Sequence, residues 1–239
     1  MSTIDKIKIE LKKFSSREKS KVLSRFFKTG KGEYAEGDKF IGVVVPDQRM
    51  IAKKFFRSVA LDEITALLQS NIHEHRLTAL FLLIMKYNVA LGEESKKNIV
   101  DIYLSNRKFI NNWDLVDLSA EKILGDYLYN FDKPRKMIYD FAKDDHLWTQ
   151  RIAILTTFYF IRKNDFNDTL RIAKIFLDHE HDLIHKASGW MLREIGKRDF
   201  SVEYDFLQKH YKRMPRTMLR YAIEKFKPEL KEKFLNGTI

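Results

Sequence analysis

Breakers of regular structure are scarce in this chain, with 9 Gly and 4 Pro spread over 239 residues. The alternation of Val and Ile with polar residues that builds a half-buried sheet is nearly missing too. Apolar residues recur instead at three- and four-residue steps, in Ile64–Leu68, Leu77–Met85, Ile99–Leu104, Leu115–Leu128, Ile152–Ile161, Leu170–Leu177, Ala187–Ile195 and Met218–Phe226. That period turns one side of a helix to a core, so the chain is expected to be all-α. The one short β-like run, Ile41–Val45, is closed by Pro46 and is too isolated to found a sheet. Hydrophobic residues make up 44% and aromatics 13%, enough for a sizeable core, which excludes a disordered chain.

Successive helical runs carry a weak repeat, in which a polar or charged residue opens an apolar stretch with a small residue just inside it. The clearest copies begin at Arg76, Asp117, Arg151 and Lys186, which are 41, 34 and 35 residues apart. A period of about 30–45 residues holding two helices is the mark of a HEAT-like α-solenoid, whose repeats bury their faces against neighbours. Residues 1–239 are then expected to form a single HEAT-like-repeat domain, with an N-terminal helix over residues 1–20. In such a scaffold the opening residues recur at equivalent positions, so Arg76, Asp117, Arg151 and Lys186 are expected to line one concave, basic groove.

Charge names the partner class. Lys and Arg number 44 against 33 Asp and Glu, a formal net charge of +11, which favours a polyanion such as duplex DNA. No window approaches the roughly 18 uninterrupted apolar residues of a membrane span, and the N-terminus shows no apolar signal core, so a soluble cytoplasmic protein is expected. Cysteine is absent, which excludes disulfides, thiol nucleophiles and Cys-ligated metals. The pairs His73/His75 and His179/His181 are spaced i,i+2 and do not share a helical face, so no metal site is expected.

An acid in a basic groove calls for a reason. In Asn112-Trp113-Asp114-Leu115-Val116-Asp117, Trp113 and Asp117 stand i,i+4 on one side of a helix, and Trp190 lies in the corresponding helix of a later repeat, beside Gly189. Indole faces and a carboxylate suit a cationic ligand or a developing positive charge. The same residues also fit plain packing, with Asp114 or Asp117 a helix cap or first-turn acid.

Several ordered motifs resemble the AlkD family of HEAT-like-repeat DNA glycosylases, over residues 21–230. They are Gly32-Glu-Tyr-Ala-Glu-Gly-Asp-Lys-Phe-Ile-Gly42-Val43 with Val45-Pro46, the Trp113/Asp117 motif, Leu147-Trp-Thr-Gln-Arg151-Ile-Ala, Lys186-Ala-Ser-Gly-Trp190-Met-Leu-Arg193-Glu194, and Met214-Pro-Arg216-Thr-Met-Leu-Arg220-Tyr-Ala. The resemblance implies that Trp113, Asp117 and Trp190 form the active site and that Arg151 and Arg193 hold DNA. An Arg-Tyr-x-Lys stretch that the family places near the damaged pair corresponds to Arg25-Phe26-Phe27-Lys28, where Phe26 keeps a ring but lacks the hydroxyl, and Tyr34 in the following loop is the alternative. Lys186, Lys28, Lys31, Arg162, Lys163, Arg216 and Arg220 are further candidates for phosphate contact, whereas Lys12, Lys13 and the lysines of 227–233 read as solvated charge.

The implied activity is removal of N3- or N7-alkylated purines from duplex DNA. Alkylation makes the purine cationic and a good leaving group, so an ionised Asp117 has only to stabilise the positive sugar and orient water. The resemblance implies trapping of the damaged nucleotide through its backbone rather than insertion of the base into a pocket. No motif positions a lysine nucleophile, so a monofunctional, cofactor-free, monomeric enzyme is expected. Two other readings stand beside it: a non-catalytic scaffold for bent or branched DNA, and a helical protein-interaction module.

Overall fold

The computed structural model describes all residues, Met1–Ile239, and its regular elements are helices. Contacts gather into two compact units, Met1–Ser119 and Ala120–Ile239. The first contains α1 (Thr3–Lys13), α2 (Arg17–Phe26), α3 (Val45–Phe55), α4 (Leu61–Leu68), α5 (His73–Val89), α6 (Gly92–Ser105) and all but the last residue of α7 (Trp113–Ala120). A π-helical turn, Glu121–Gly125, opens the second, followed by α8 (Asp126–Asn130), α9 (Lys136–Ala142), α10 (Leu147–Arg162), α11 (Asn167–Ile175), α12 (Asp182–Gly196), α13 (Phe200–His210), α14 (Arg216–Ala222) and α15 (Pro228–Asn236).

Residues 1–20, expected as one helix, are two. Ser2 caps α1 through a capping box with Asp5, and the helix stops at Phe14. Ser16 then caps α2 by accepting the Lys19 N–H. Where the sequence suggests an extended run, the segment from Lys39 onward makes one parallel bridge with Ile72 and no strand. Val45 already belongs to α3, with Pro46 in the first turn, where a missing N–H costs nothing.

In the first unit α5 is the central helix, packed by α3, α4 and α6, while α1 covers α3 and α4. Leu80, Leu82 and Leu83 of α5 and Ile64, Leu67 and Leu68 of α4 are fully buried there. In the second unit α10, α12 and α14 pack in succession, and α9, α11 and α13 cover them. Two glycines set the spacing of that stack: a Cβ on Gly125 would lie 2.5 Å from the Thr156 carbonyl oxygen, and one on Gly189 would lie 2.4 Å from that of Met218. The same close approach recurring from one helix pair to the next is repeat architecture in atomic terms. The protein is all-α and built of HEAT-like helical repeats.

Candidate active site

Helix α7 carries the Trp-x-x-x-Asp motif. Leu115 and Val116 are fully buried, which turns Trp113 and Asp117 to the half-buried side of the helix. Asn112, itself buried, fixes the helix start by accepting the Trp113 N–H on Oδ1 at 2.8 Å. One turn on, the Ser119 hydroxyl donates to the Leu115 carbonyl at 2.6 Å and lies 3.1 Å from the Tyr103 hydroxyl. Burial raises the Tyr103 pKa, and the charge of Asp117 raises it further, so this phenol stays protonated.

The Trp113 ring lies against aromatics from α2 and the residue after it. Phe27 stacks on it at 5.3 Å between centroids and 25° between planes, and Phe26 meets it edge-on at 6.0 Å. Phe27 in turn stacks on Phe40 at 5.2 Å. Of the neighbouring pair, Phe27 is buried and Phe26 is 61% exposed. Phe26, with Val22, Leu23, Val43 and Val45, lines an apolar pocket of about 480 Å³ on whose wall His73 and Asp114 also lie.

Helix α2 reaches this position because the loop beneath it is pinned from α5. Carboxylate oxygens of Glu74 accept the backbone N–H groups of Ile41, Gly42 and Val43 at 3.1, 2.7 and 3.3 Å. Gly42 has φ +80°, and a Cβ there would stand 2.1 Å from the Ser16 carbonyl oxygen, so the α2 start sits directly on it. The Ser16 N–H donates to the Ile41 carbonyl at 2.9 Å, and the Ser20 hydroxyl to that of Phe40 at 2.7 Å.

Behind Trp113 lies a buried polar cluster. His73 Nε2 is 2.8 Å from Asp114 Oδ2 and its Nδ1 is 3.4 Å from Asp38 Oδ2. Arg76, expected to face a groove, is instead buried, donating to Asp38 Oδ2 at 2.7 Å and to the Ser70 carbonyl at 3.0 Å. Burial lowers the arginine's pKa and the charge of Asp38 opposes this.

In the second unit the Trp190 indole N–H donates to Glu194 Oε1 at 3.2 Å and its ring meets Phe158 edge-on at 5.6 Å. Arg162 lies over Phe158 at 4.6 Å and pairs with Glu121 at 3.2 Å, inside the π-helical turn. Burial pushes the Glu121 carboxyl up, and Arg162 pulls it down.

The predicted cations fall into two groups. Arg25, Lys28, Arg216 and Arg220 are exposed. Lys186 pairs with Asp182 at 2.6 Å, Arg193 pairs with Glu224, and Arg151 is buried with Nη1 donating to the Leu183 carbonyl. Tyr34 is half-buried in the loop that follows α2.

No cluster of three or more His, Asp or Glu is placed to hold a metal ion. His75 bonds to the Ser70 hydroxyl at 2.9 Å and His179 to the Gln150 side-chain Oε1 at 2.8 Å. No helix is long and apolar enough to cross a membrane.

Sequence reasoning missed Phe27, Asp38, His73 and Glu74 as parts of this site. Phe27 stood next to the residue selected, and nothing short of tertiary structure ranks two adjacent phenylalanines. The signal for His73, Glu74 and Arg76 was a run of charge opening the helix that holds the apolar stretch Ala79–Met85, at positions a core-facing helix does not tolerate unpaired.

The family described as DNA alkylation repair enzyme matches residues 7–226. Among solved structures, a predicted DNA alkylation repair enzyme from Enterococcus faecalis is similar at 17% identity and a TM-score of 0.72, over 90% of this chain and 97% of that one. AlkD2 from Streptococcus mutans is similar at 17% identity and 0.55, over 89% and 99%. The protein smu.31 from Streptococcus mutans UA159 follows at 18% and 0.56, over 76% and 92%. At such identities these structures speak for the fold alone, and no curated protein matches in sequence. The family match, by contrast, spans most of the chain and includes the segments that carry Trp113, Asp117 and Trp190: the chain belongs to the DNA alkylation repair enzyme family.

Proposed function

We propose that the protein is a monofunctional DNA glycosylase that hydrolyses the N-glycosidic bond of cationic N3- or N7-alkylated purines in duplex DNA and leaves an abasic site. The observation that carries this reading is the pairing of Trp113 with Asp117 on the half-buried side of α7, in a chain of this family. As the bond breaks, the electron pair leaves with the purine and neutralises it, and the sugar takes up the positive charge. Asp117, ionised, stabilises that charge and orients the water that adds to the sugar. Trp113 presents its ring face to that cation, and Trp190 is the second indole that the family resemblance assigns to the chemistry. Because the leaving group already carries its charge, no general acid, metal or organic cofactor is required.

DNA is held, in this reading, by a monomer acting in the cytoplasm. Exposed Arg25, Lys28, Arg216 and Arg220 meet phosphates directly. Arg193 and Lys186 do so by exchanging Glu224 and Asp182 for phosphate, and Arg151 shapes the start of α12 through the Leu183 carbonyl. Phe26, presented beside Trp113, and Tyr34 are the ring contacts near the lesion.

The test is release of free methylated purine from N-methylated duplex DNA by the wild type and Asp117→Asn, at matched DNA occupancy and with chelator present. Release by the wild type alone supports the enzyme. Binding by both without release establishes the non-catalytic scaffold instead.

A further inference from the structure

His73 is the one imidazole in the first unit with a carboxylate at each ring nitrogen, Asp114 at 2.8 Å and Asp38 at 3.4 Å. A neutral imidazole has one N–H and can donate to only one of them, whereas an imidazolium donates to both. Charge balance gives the same answer. Asp38 and Asp114 carry two negative charges and Arg76 one positive, and the side chains of His73, Asp38 and Arg76 are no more than 5% exposed. A proton on His73 brings these four side chains to zero, while the buried Glu74 carboxylate is held separately by the backbone N–H groups of Ile41, Gly42 and Val43.

Its neighbours make the ring a junction. Phe40 stacks on one face at 4.6 Å and Phe27 packs at 5.0 Å, and Phe27 is the ring that stacks on Trp113. The His73 backbone N–H donates to the Lys39 carbonyl at 2.8 Å, and the Asn111 side-chain amide, just before α7, donates to Asp38 Oδ1 at 3.2 Å. The residue that His73 grips, Asp114, follows Trp113 directly.

We propose that His73 is a positioning residue: as an imidazolium held between Asp38 and Asp114 it fixes the first turn of α7, so that base excision falls when it loses its proton. The link to excision rests on the glycosylase reading above; the clamp itself rests on the geometry. The groups facing the ring are Asp114 from α7, Asp38 from the loop and Arg76 from α5; Glu74 of α5 lines the same pocket with its carboxylate turned to the 41–43 backbone, and Glu18 and Lys19 of α2 line it too. The carboxylates outweigh burial and Arg76, so the His73 pKa is raised above its ordinary 6.5. A raised histidine contributes stability that is full below the ordinary value and is lost as pH rises through the raised one.

Two readouts test this on the intact protein, between pH 5.5 and 8.5. The first is the ¹⁹F signal of 5-fluorotryptophan at Trp113, assigned with Trp148→Phe and Trp190→Phe. It should shift with the titration of the His73 ring in the wild type and lose that step in His73→Gln and in Asp114→Asn, which break the clamp from opposite sides. The second is single-turnover excision at saturating DNA. The rate should fall with rising pH in the wild type, and be about 10- to 100-fold lower and flat in both variants, with DNA affinity changed less than about twofold. The double variant should be no worse than either single one. A Trp113 signal that ignores the His73 titration, or variants keeping the wild-type rate and pH profile, overturns the proposal. A titrating Trp113 in a protein that releases no base supports the clamp and removes the glycosylase reading instead.

Discussion

Phe27 and Trp113 lie nearly face to face, 5.3 Å between centroids, although α2 and α7 are separated by most of the first unit's sequence. Phe27 is 7% exposed and its neighbour Phe26 is 61% exposed. One ring builds the site and the other is offered to whatever arrives there.

Their substitutions should therefore separate. Phe27→Ala is expected to lower stability by about 3 kcal/mol, because it opens a cavity under Trp113. Phe26→Ala should change stability by less than about 1 kcal/mol while reducing excision of the damaged base. Urea unfolding alongside the base-release assay reads both; equal destabilisation by the two would contradict the assignment.

Asp117→Asn should lower excision by about 100- to 1000-fold, the range seen when a single charge-stabilising group is removed, with DNA affinity retained. Matched-occupancy base release measures it.

Binding to DNA should weaken steeply with salt. Arg216→Ala and Arg220→Ala, at exposed positions on α14, should each reduce the slope of log K against log salt by about 1. An unchanged slope removes that residue from the phosphate contacts.

Gly42→Ala joins two faults, a side chain at φ +80° and a Cβ 2.1 Å from the Ser16 carbonyl oxygen. A loss of about 2–3 kcal/mol is expected in urea unfolding. The damage should include the seating of α2, so the Trp113 fluorescence environment should change as well.

Glu203 gives a pH signature in the second unit. It is 2% exposed, and burial pushes its pKa up to about 8, against the pull of Arg193. The folded state then holds a proton that the unfolded state has released. Its contribution to stability is full below the usual 4.5 and is lost as pH rises through about 8. Glu203→Gln should flatten that decline in thermal unfolding followed across the same range.

The sequence by itself determined the helical class and the repeat. Few breakers and a 3.6-residue apolar period leave no other way to bury this much side chain, and small residues such as Gly189 mark where helices close in. The spacing of Trp113 and Asp117 placed both on one side of α7, because i,i+4 geometry is local. Tertiary structure alone decided which of two adjacent phenylalanines is buried, since periodicity cannot rank Phe26 against Phe27 in a short helix end. It also decided the fate of the charges that open α5 and α10. Arg76 and Arg151 read as cations lining a basic groove, yet Arg76 is neutralised by Asp38, 38 residues away, and Arg151 is buried and donates to the Leu183 carbonyl. A buried charge is tolerated only with its partner in place, and that partner comes from a distant segment that local pattern does not connect.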